Sequence, residues 1–395
     1  MRPRLHALTT LRFFAALHVV LFHMRVIDIL PGGSWWYQNF ASIGFVGVNF
    51  FFVLSGFILV YTYGPNVNAR NFWWARFARI YPAYLLSLII AAPFFFFALR
   101  HLHLPFYAWS KLHPVWASTL TLTLLQAWVP QGALTWNSVC WSLSVEAFFY
   151  FVFPFFLLRS RIASPRALLL WLGALWLVSL FLSCGYVFLH PDGAANVNSG
   201  ATNLFWKNVL SFNPLVRLPE FLIGMMTGRL FLSQLAGKNE SRKFATLLIM
   251  AGVAAFVGVV IFTKVIPNPV LSVGLLSPAF AAIIFGVAQR PPMTSFLDVR
   301  WLVLLGDASY SLYLLHSLLI SRTFESLPML PHIARVAACF AAAIGASLLS
   351  YRLIEEPVRR LLRPKKKLAV TATRDQYSAT AATAYGSGRP ASRPE

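Results

Sequence analysis

From Leu8 to Ile354 the chain repeats one pattern: a run of about twenty mostly apolar residues, a short polar break, and another run. Wound as an α-helix at about 1.5 Å per residue, such a run matches the hydrocarbon thickness of a bilayer. Inside hydrocarbon each backbone N–H and C=O has to find its partner within the protein, which a helix does residue by residue. With 395 residues, 58% of them apolar and only 11% charged, the chain is too hydrophobic for a water-soluble domain of this size. The fold class that follows is all-α: a polytopic helical membrane protein.

Hydropathy gives eleven candidate segments, near residues 8–27, 42–62, 80–99, 114–130, 139–158, 167–188, 214–232, 244–263, 270–288, 301–320 and 333–354. Arg2 and Arg4 at one end, and Arg359 through Lys367 at the other, both mark cytoplasmic ends under the positive-inside rule. Two ends on one side require an even number of crossings. The weakest candidate is 114–130, short and carrying Ser118, Thr119, Thr121, Thr123 and Gln126, so it is expected to be re-entrant or interfacial. Ten crossings remain. They place Arg70, Arg76 and Arg79, then Arg159 to Arg166, Lys238 to Lys243, and Arg290 with Arg300 on the cytoplasmic side of a cell membrane.

Thirty-three Lys and Arg against twelve Asp and Glu could suggest nucleic acid, but the basic residues sit in the breaks between apolar runs. Membrane orientation explains them, and no nucleic-acid partner is expected. Arg12 and His18 inside the first run, with no small-residue cleavage site after it, argue for a retained helix rather than a signal peptide. Cys140, Cys184 and Cys339 have no metal spacing, and His101, His103 and His113 have no acidic or thiol companion nearby, so no metal is expected. The membrane domain is expected over residues 1–364. Residues 365–395, basic and then rich in Ala, Thr, Ser and Gly, read as a disordered cytoplasmic tail.

Ionisable residues within the apolar runs are expensive and usually face a protein interior or a watery cavity. Arg12 and His23 are eleven residues apart, which returns to within about 20° of one helix face and spans roughly 16 Å. They are either two depths of one internal path or a snorkelling arginine and an interfacial histidine. Glu146 stands in a run otherwise made of Trp, Leu, Val and Phe, and needs a partner there. Arg217 and Glu220, at i and i+3, are placed to pair with each other. His316 lies late in its run, near the depth of His23, and reads as a site contact or as helix-packing glue. Glu355 and Glu356, beside Arg352, Arg359 and Arg360, read as surface ion pairs.

Seven blocks in order resemble those of the acyltransferase 3 family. They are Arg12 with His23; Gly47 to Phe57; Arg76-Phe77-Ala78-Arg79 followed by Ile80 to Tyr84; Trp141 to Glu146; Arg217 to Gly224; Ser309 to His316; and Ile354-Glu355-Glu356-Pro357. Asn49, Ala75 and Glu356 depart from the residues usual in the family, but Arg12 and His23 do not. The resemblance spans nearly the whole membrane domain and is to stand-alone members, without an appended soluble hydrolase-like domain.

The resemblance implies an integral membrane O-acyltransferase that moves an acetyl or other short acyl group from cytoplasmic acyl-CoA to a hydroxyl of a carbohydrate or glycosylated acceptor. In that reading His23 is the base or the nucleophile, since imidazole titrates near neutrality. Arg12, Arg76 and Arg79 hold the phosphates of the donor. Glu146 orients His23 or the acceptor, and His316 contacts the acceptor. The rival class is a transporter or flippase of a sugar-containing substrate, in which the same buried charges bind cargo or relay protons.

Overall fold

The structure, a computed structural model, describes residues 2–30, 33–64, 67–159, 164–236 and 242–362, which belong to one compact unit. The expected disordered tail lies outside the described residues. Helices account for all regular structure among them.

In chain order the helices are α1 (His6–Val26), α2 (Trp35–Ser42), α3 (Val46–Thr62), α4 (Ala69–His101), α5 (Ala108–Leu112), α6 (Pro114–Leu122), α7 (Trp141–Arg159), α8 (Pro165–Leu189), α9 (Phe205–Phe212), α10 (Pro214–Ala236), α11 (Arg242–Ile261), α12 (Asn268–Ser272), α13 (Ser277–Ala288), α14 (Arg300–Ser326), α15 (His332–Ser350) and α16 (Glu356–Leu362). Nine segments among the described residues are long and apolar enough to cross a membrane, and the α2–α3 pair, bent by 50°, makes a tenth if counted as one span. The tenfold crossing pattern therefore needs a broken second span. Ser34 starts it by accepting a hydrogen bond from the backbone N–H of Tyr37 at 3.3 Å.

The 114–130 segment does not form a spanning helix. Its helical part, α6, has nine residues and rises only about 14 Å. Leu124 then turns the chain with a φ of +60°, and a single 3₁₀ turn follows at Gln126–Trp128. The polar side chains that interrupt its hydropathy are the ones that pin it: Gln126 donates to the Cys140 carbonyl at 3.0 Å and to the Tyr84 hydroxyl at 3.3 Å. Tyr84 in turn donates to the Thr121 carbonyl at 2.6 Å.

Helix α4 begins earlier than hydropathy alone suggests, at Ala69, with the Asn68 side chain accepting from the Asn71 N–H at 3.0 Å. Arg70, Arg76 and Arg79 are thus helical rather than in the preceding break. Charged side chains depress average hydropathy without opposing helix formation, because Arg has high helix propensity.

At the centre, α1 packs on α3 and α14, and α3 packs on α10. Without a hydrophobic force between helices in lipid, close packing has to come from small residues. Gly56 and Gly224 meet backbone to backbone: a Cβ on Gly224 would overlap the Val53 carbonyl, and one on Gly56 would overlap that of Phe221. In the same interface Arg217, 1% exposed, forms an ion pair with Glu220 at 3.0 Å and donates to Asn49 Oδ1 at 2.6 Å and to the Ser272 carbonyl. Glu220 also accepts from the Gly274 N–H at 3.0 Å, so one buried pair ties α3 and α10 to the break between α12 and α13. This is the mutual pairing expected from the i, i+3 spacing.

Gly224→Val is expected to destabilise the protein in detergent by about 3 kcal/mol through overpacking. Gly185→Val, where nothing lies within 4 Å of the added Cβ, serves as the control. Thermal unfolding of the two variants side by side checks this, with a large drop in Tm expected for the first only.

Candidate active site

Helices α1 and α14 bring His23 and His316 together. His23 Nδ1 lies 3.1 Å from His316 Nε2 and 3.0 Å from the Val19 carbonyl oxygen. His316 Nδ1 lies 2.8 Å from the Tyr313 carbonyl and 3.2 Å from that of Leu312. Carbonyl oxygens only accept, so these partners assign a proton to Nδ1 of each ring. His316 Nε2 then carries a lone pair facing the His23 Nδ1–H. His23 Nε2 also carries a lone pair and makes no hydrogen bond among the described residues. His316 is fully buried, whereas His23 is half-buried.

The frame that holds His316 is polar and local. Tyr313, one turn earlier, shares a 2.7 Å hydrogen bond with Ser142 and donates to the Val139 carbonyl at 2.9 Å. Asn137 donates to the Leu314 carbonyl at 2.9 Å. The start of α7 and the turn before it therefore fix the rotation of α14, and with it the direction of the His316 ring.

Arg12, about 16 Å along α1 from His23, enters a second cluster. It is within electrostatic range of Arg79, Glu355, Glu146 and Asp307, and Arg79 is within range of Glu146, Glu355, Tyr150 and Tyr310. Among the described residues neither guanidinium makes a direct ion pair or a hydrogen bond. Arg76 is engaged differently: it donates to the Tyr63 hydroxyl at 2.9 Å and lies over the rings of Tyr63, Phe72 and Tyr150 at 5.4–5.7 Å.

The structure joins the sequence-derived residues in an unequal way. His23 meets His316, and Arg12 comes within electrostatic range of Arg79. Glu146 accepts from Tyr150 and from Ser55 at 3.4 Å and sits with the arginines; its hydrogen-bond partners do not include His23.

Glu355 was expected at the surface, and here it differs from the sequence reading. It is 4% exposed and accepts from Ser311 at 3.1 Å, while only Glu356 makes a surface ion pair, with Arg360. The cause is a π-helical turn at Tyr351–Glu355, which changes the face that the following residues present. Such turns are hard to see in sequence, but Ser309, Tyr310 and Ser311 in one apolar run signal that a polar partner faces them. Tyr150 was also missed, although its i+4 spacing from Glu146 was legible.

Chemically, the first cluster offers a basic nitrogen with a backed N–H. The second offers guanidinium donors suited to phosphate. No third ligand-type side chain joins the histidines in a metal-binding group among the described residues.

Fold and site together define an integral membrane protein with a paired-imidazole centre at one depth and a guanidinium–carboxylate cluster at another. The family model described as an acyltransferase domain matches residues 5–352, and the chain belongs to that family, acyltransferase 3; it is a membrane acyltransferase. The chain is 29% identical to acyltransferase MdmB of Streptomyces mycarofaciens, over 93% of this chain and 94% of that protein. It is 24% identical to O-acetyltransferase OatA of Staphylococcus aureus (strain NCTC 8325 / PS 47), over 92% of this chain and 60% of the relative. It is also 26% identical to peptidoglycan O-acetyltransferase OatA of Listeria monocytogenes, over 89% of this chain and 55% of the relative. The chain thus spans a little over half the length of the OatA proteins. No solved structure matches.

His316→Ala removes the acceptor facing the His23 Nδ1–H and leaves the arginines untouched. Acyl transfer is expected to fall about 100-fold with the donor KM within a factor of two. Steady-state kinetics in detergent reads both numbers.

Proposed function

We propose that this protein transfers a short acyl group, acetyl in the simplest case, from acyl-CoA to a hydroxyl of a carbohydrate or glycosylated acceptor. The single observation that carries the reading is the His23–His316 contact, which leaves Nε2 of the half-buried His23 as the free basic atom of the pair. The name of the Listeria relative, a peptidoglycan O-acetyltransferase, supports a sugar hydroxyl as the acceptor class.

The acceptor oxygen attacks the thioester carbonyl carbon while its proton passes to His23 Nε2. The imidazolium that forms is stabilised at Nδ1–H by the Val19 carbonyl and by the lone pair of His316 Nε2. Collapse of the tetrahedral adduct breaks the C–S bond, and the leaving thiolate takes the proton from Nε2 to become CoA thiol. Arg12 and Arg79, with donors not used by other side chains, hold the phosphates; Arg76, stacked on aromatic rings, adds positive charge beside them. Glu146 tunes those arginines, and His316 acts on His23 from behind.

The distribution of basic residues supports an orientation with both termini in the cytoplasm and the Arg12 end facing it, in a cell membrane. The histidine pair then lies toward the outer side, so that the acyl group is drawn part of the way across the bilayer before it meets its acceptor.

The test is acetyl-CoA turnover by the purified protein in detergent. His23→Ala is expected to lower turnover at least 1,000-fold while CoA still binds, and Arg79→Ala to raise the donor KM about tenfold or more. With radiolabelled acetyl-CoA and no acceptor, the protein should retain no covalent label. Stable labelling lost in His23→Ala would replace general-base catalysis with an acyl-imidazole route, and a parent protein that neither binds nor turns over acyl-CoA would overturn the reading.

A further inference from the structure

The guanidinium cluster has an electrostatic arrangement that the reaction alone does not require. Arg12 and Arg79 lie within range of each other's charge and of the carboxylates Glu146 and Glu355; Arg12 is also within range of Asp307, which pairs with Arg4. Yet neither Glu146 nor Glu355 is in direct contact with either guanidinium. Each is held back by a hydroxyl: Glu146 by Tyr150 and Ser55, and Glu355 by Ser311, whose own hydroxyl is 2.9 Å from that of Ser350. A carboxylate in direct contact with an arginine takes its N–H donors, and neither of these does so. The hydroxyl tethers leave the donors open while the opposing charge stays near.

We infer that Glu355, buried on the π-helical turn and tethered by Ser311, is a positioning residue that weakens the hold of Arg12 and Arg79 on polyanionic CoA, so that the spent product can leave. Donor and product carry the same phosphates, so a site that binds one tightly retains the other. A fixed negative charge near two guanidiniums lowers affinity for both without using a hydrogen-bond donor. The inference rests on the reading of Arg12 and Arg79 as the phosphate site. It adds to that reading a residue whose removal strengthens binding, the reverse of what losing a structural contact does.

The experiment is calorimetric titration of CoA itself into the full-length protein in detergent, at low and high salt, with acetyl-CoA kinetics alongside. Glu355→Gln keeps the shape and the acceptor for Ser311 but removes the charge. It is expected to bind CoA about five- to tenfold more tightly, with lower kcat, lower donor KM, and a gain that shrinks as salt rises. Glu355→Asp, which restores the charge, is expected to return CoA affinity toward that of the parent. Unchanged or weaker CoA binding by Glu355→Gln, with a parent that binds CoA, would overturn the inference alone. A parent that binds no CoA would overturn the underlying function as well. Should Glu355→Gln fail to fold, Ser311→Ala carries the test: the freed carboxylate is expected to pair with the arginines and weaken CoA binding several-fold, and unchanged affinity would refute the proposal.

Discussion

Ionisable groups at membrane depth are costly unless something in the protein answers them, and the arrangement of this molecule follows from how each one is answered. Arg217 is answered by direct contact: Glu220, Asn49 and the Ser272 carbonyl take its terminal N–H groups, and the price of burial is returned as a tie between three parts of the chain. Removing one partner of such a pair would leave a bare charge in a low-dielectric interior. His23 is answered on one nitrogen only, by Val19 and His316, which leaves the other nitrogen for chemistry. Arg12 and Arg79 are answered by charge at a distance and not by contact. One physical demand thus yields a structural brace, a base and an anion site, according to how many donors and lone pairs remain.

Helix α1 links the last two. Its Arg12–His23 face sets the depth of both clusters, and its packing against α14 supplies His316 to one end, while Ser311 and Tyr310, earlier in α14, serve the other. Close approach of α3 and α10 through Gly56 and Gly224 holds the neighbouring helices within reach. The short α6 segment, pinned through Gln126, completes the wall near the start of α7, where Asn137 and Ser142 fix the rotation of α14. Fold and site therefore share the same polar residues at several points.

Much of this was legible in sequence because its causes are local. Apolar length gave the spans, charge parity singled out the 114–130 segment, and its polar residues explained why it would not cross. The Arg12–His23 spacing and the depth of His316 were likewise arithmetic on a helix. What stayed hidden depends on rotation and on non-local partners. Glu146 could be recognised as needing a partner, but nothing in the sequence said that Tyr150 and Ser55 rather than His23 would supply it. Glu355 was concealed by a one-residue change of helical phase, which average hydropathy cannot register. The early start of α4 was masked because three arginines lower hydropathy while favouring helix.

The most direct measurement is an electron cryomicroscopy structure of the protein with an acetyl-CoA analogue in which a methylene replaces the thioester sulfur, so that transfer cannot occur. The expected result is phosphate density against Arg12 and Arg79, with the acyl carbonyl reaching along α1 to His23 Nε2. Density for the analogue elsewhere, or an acyl group remote from the histidine pair, would contradict the assignment of donor and reaction centre to the two ends of one helix face.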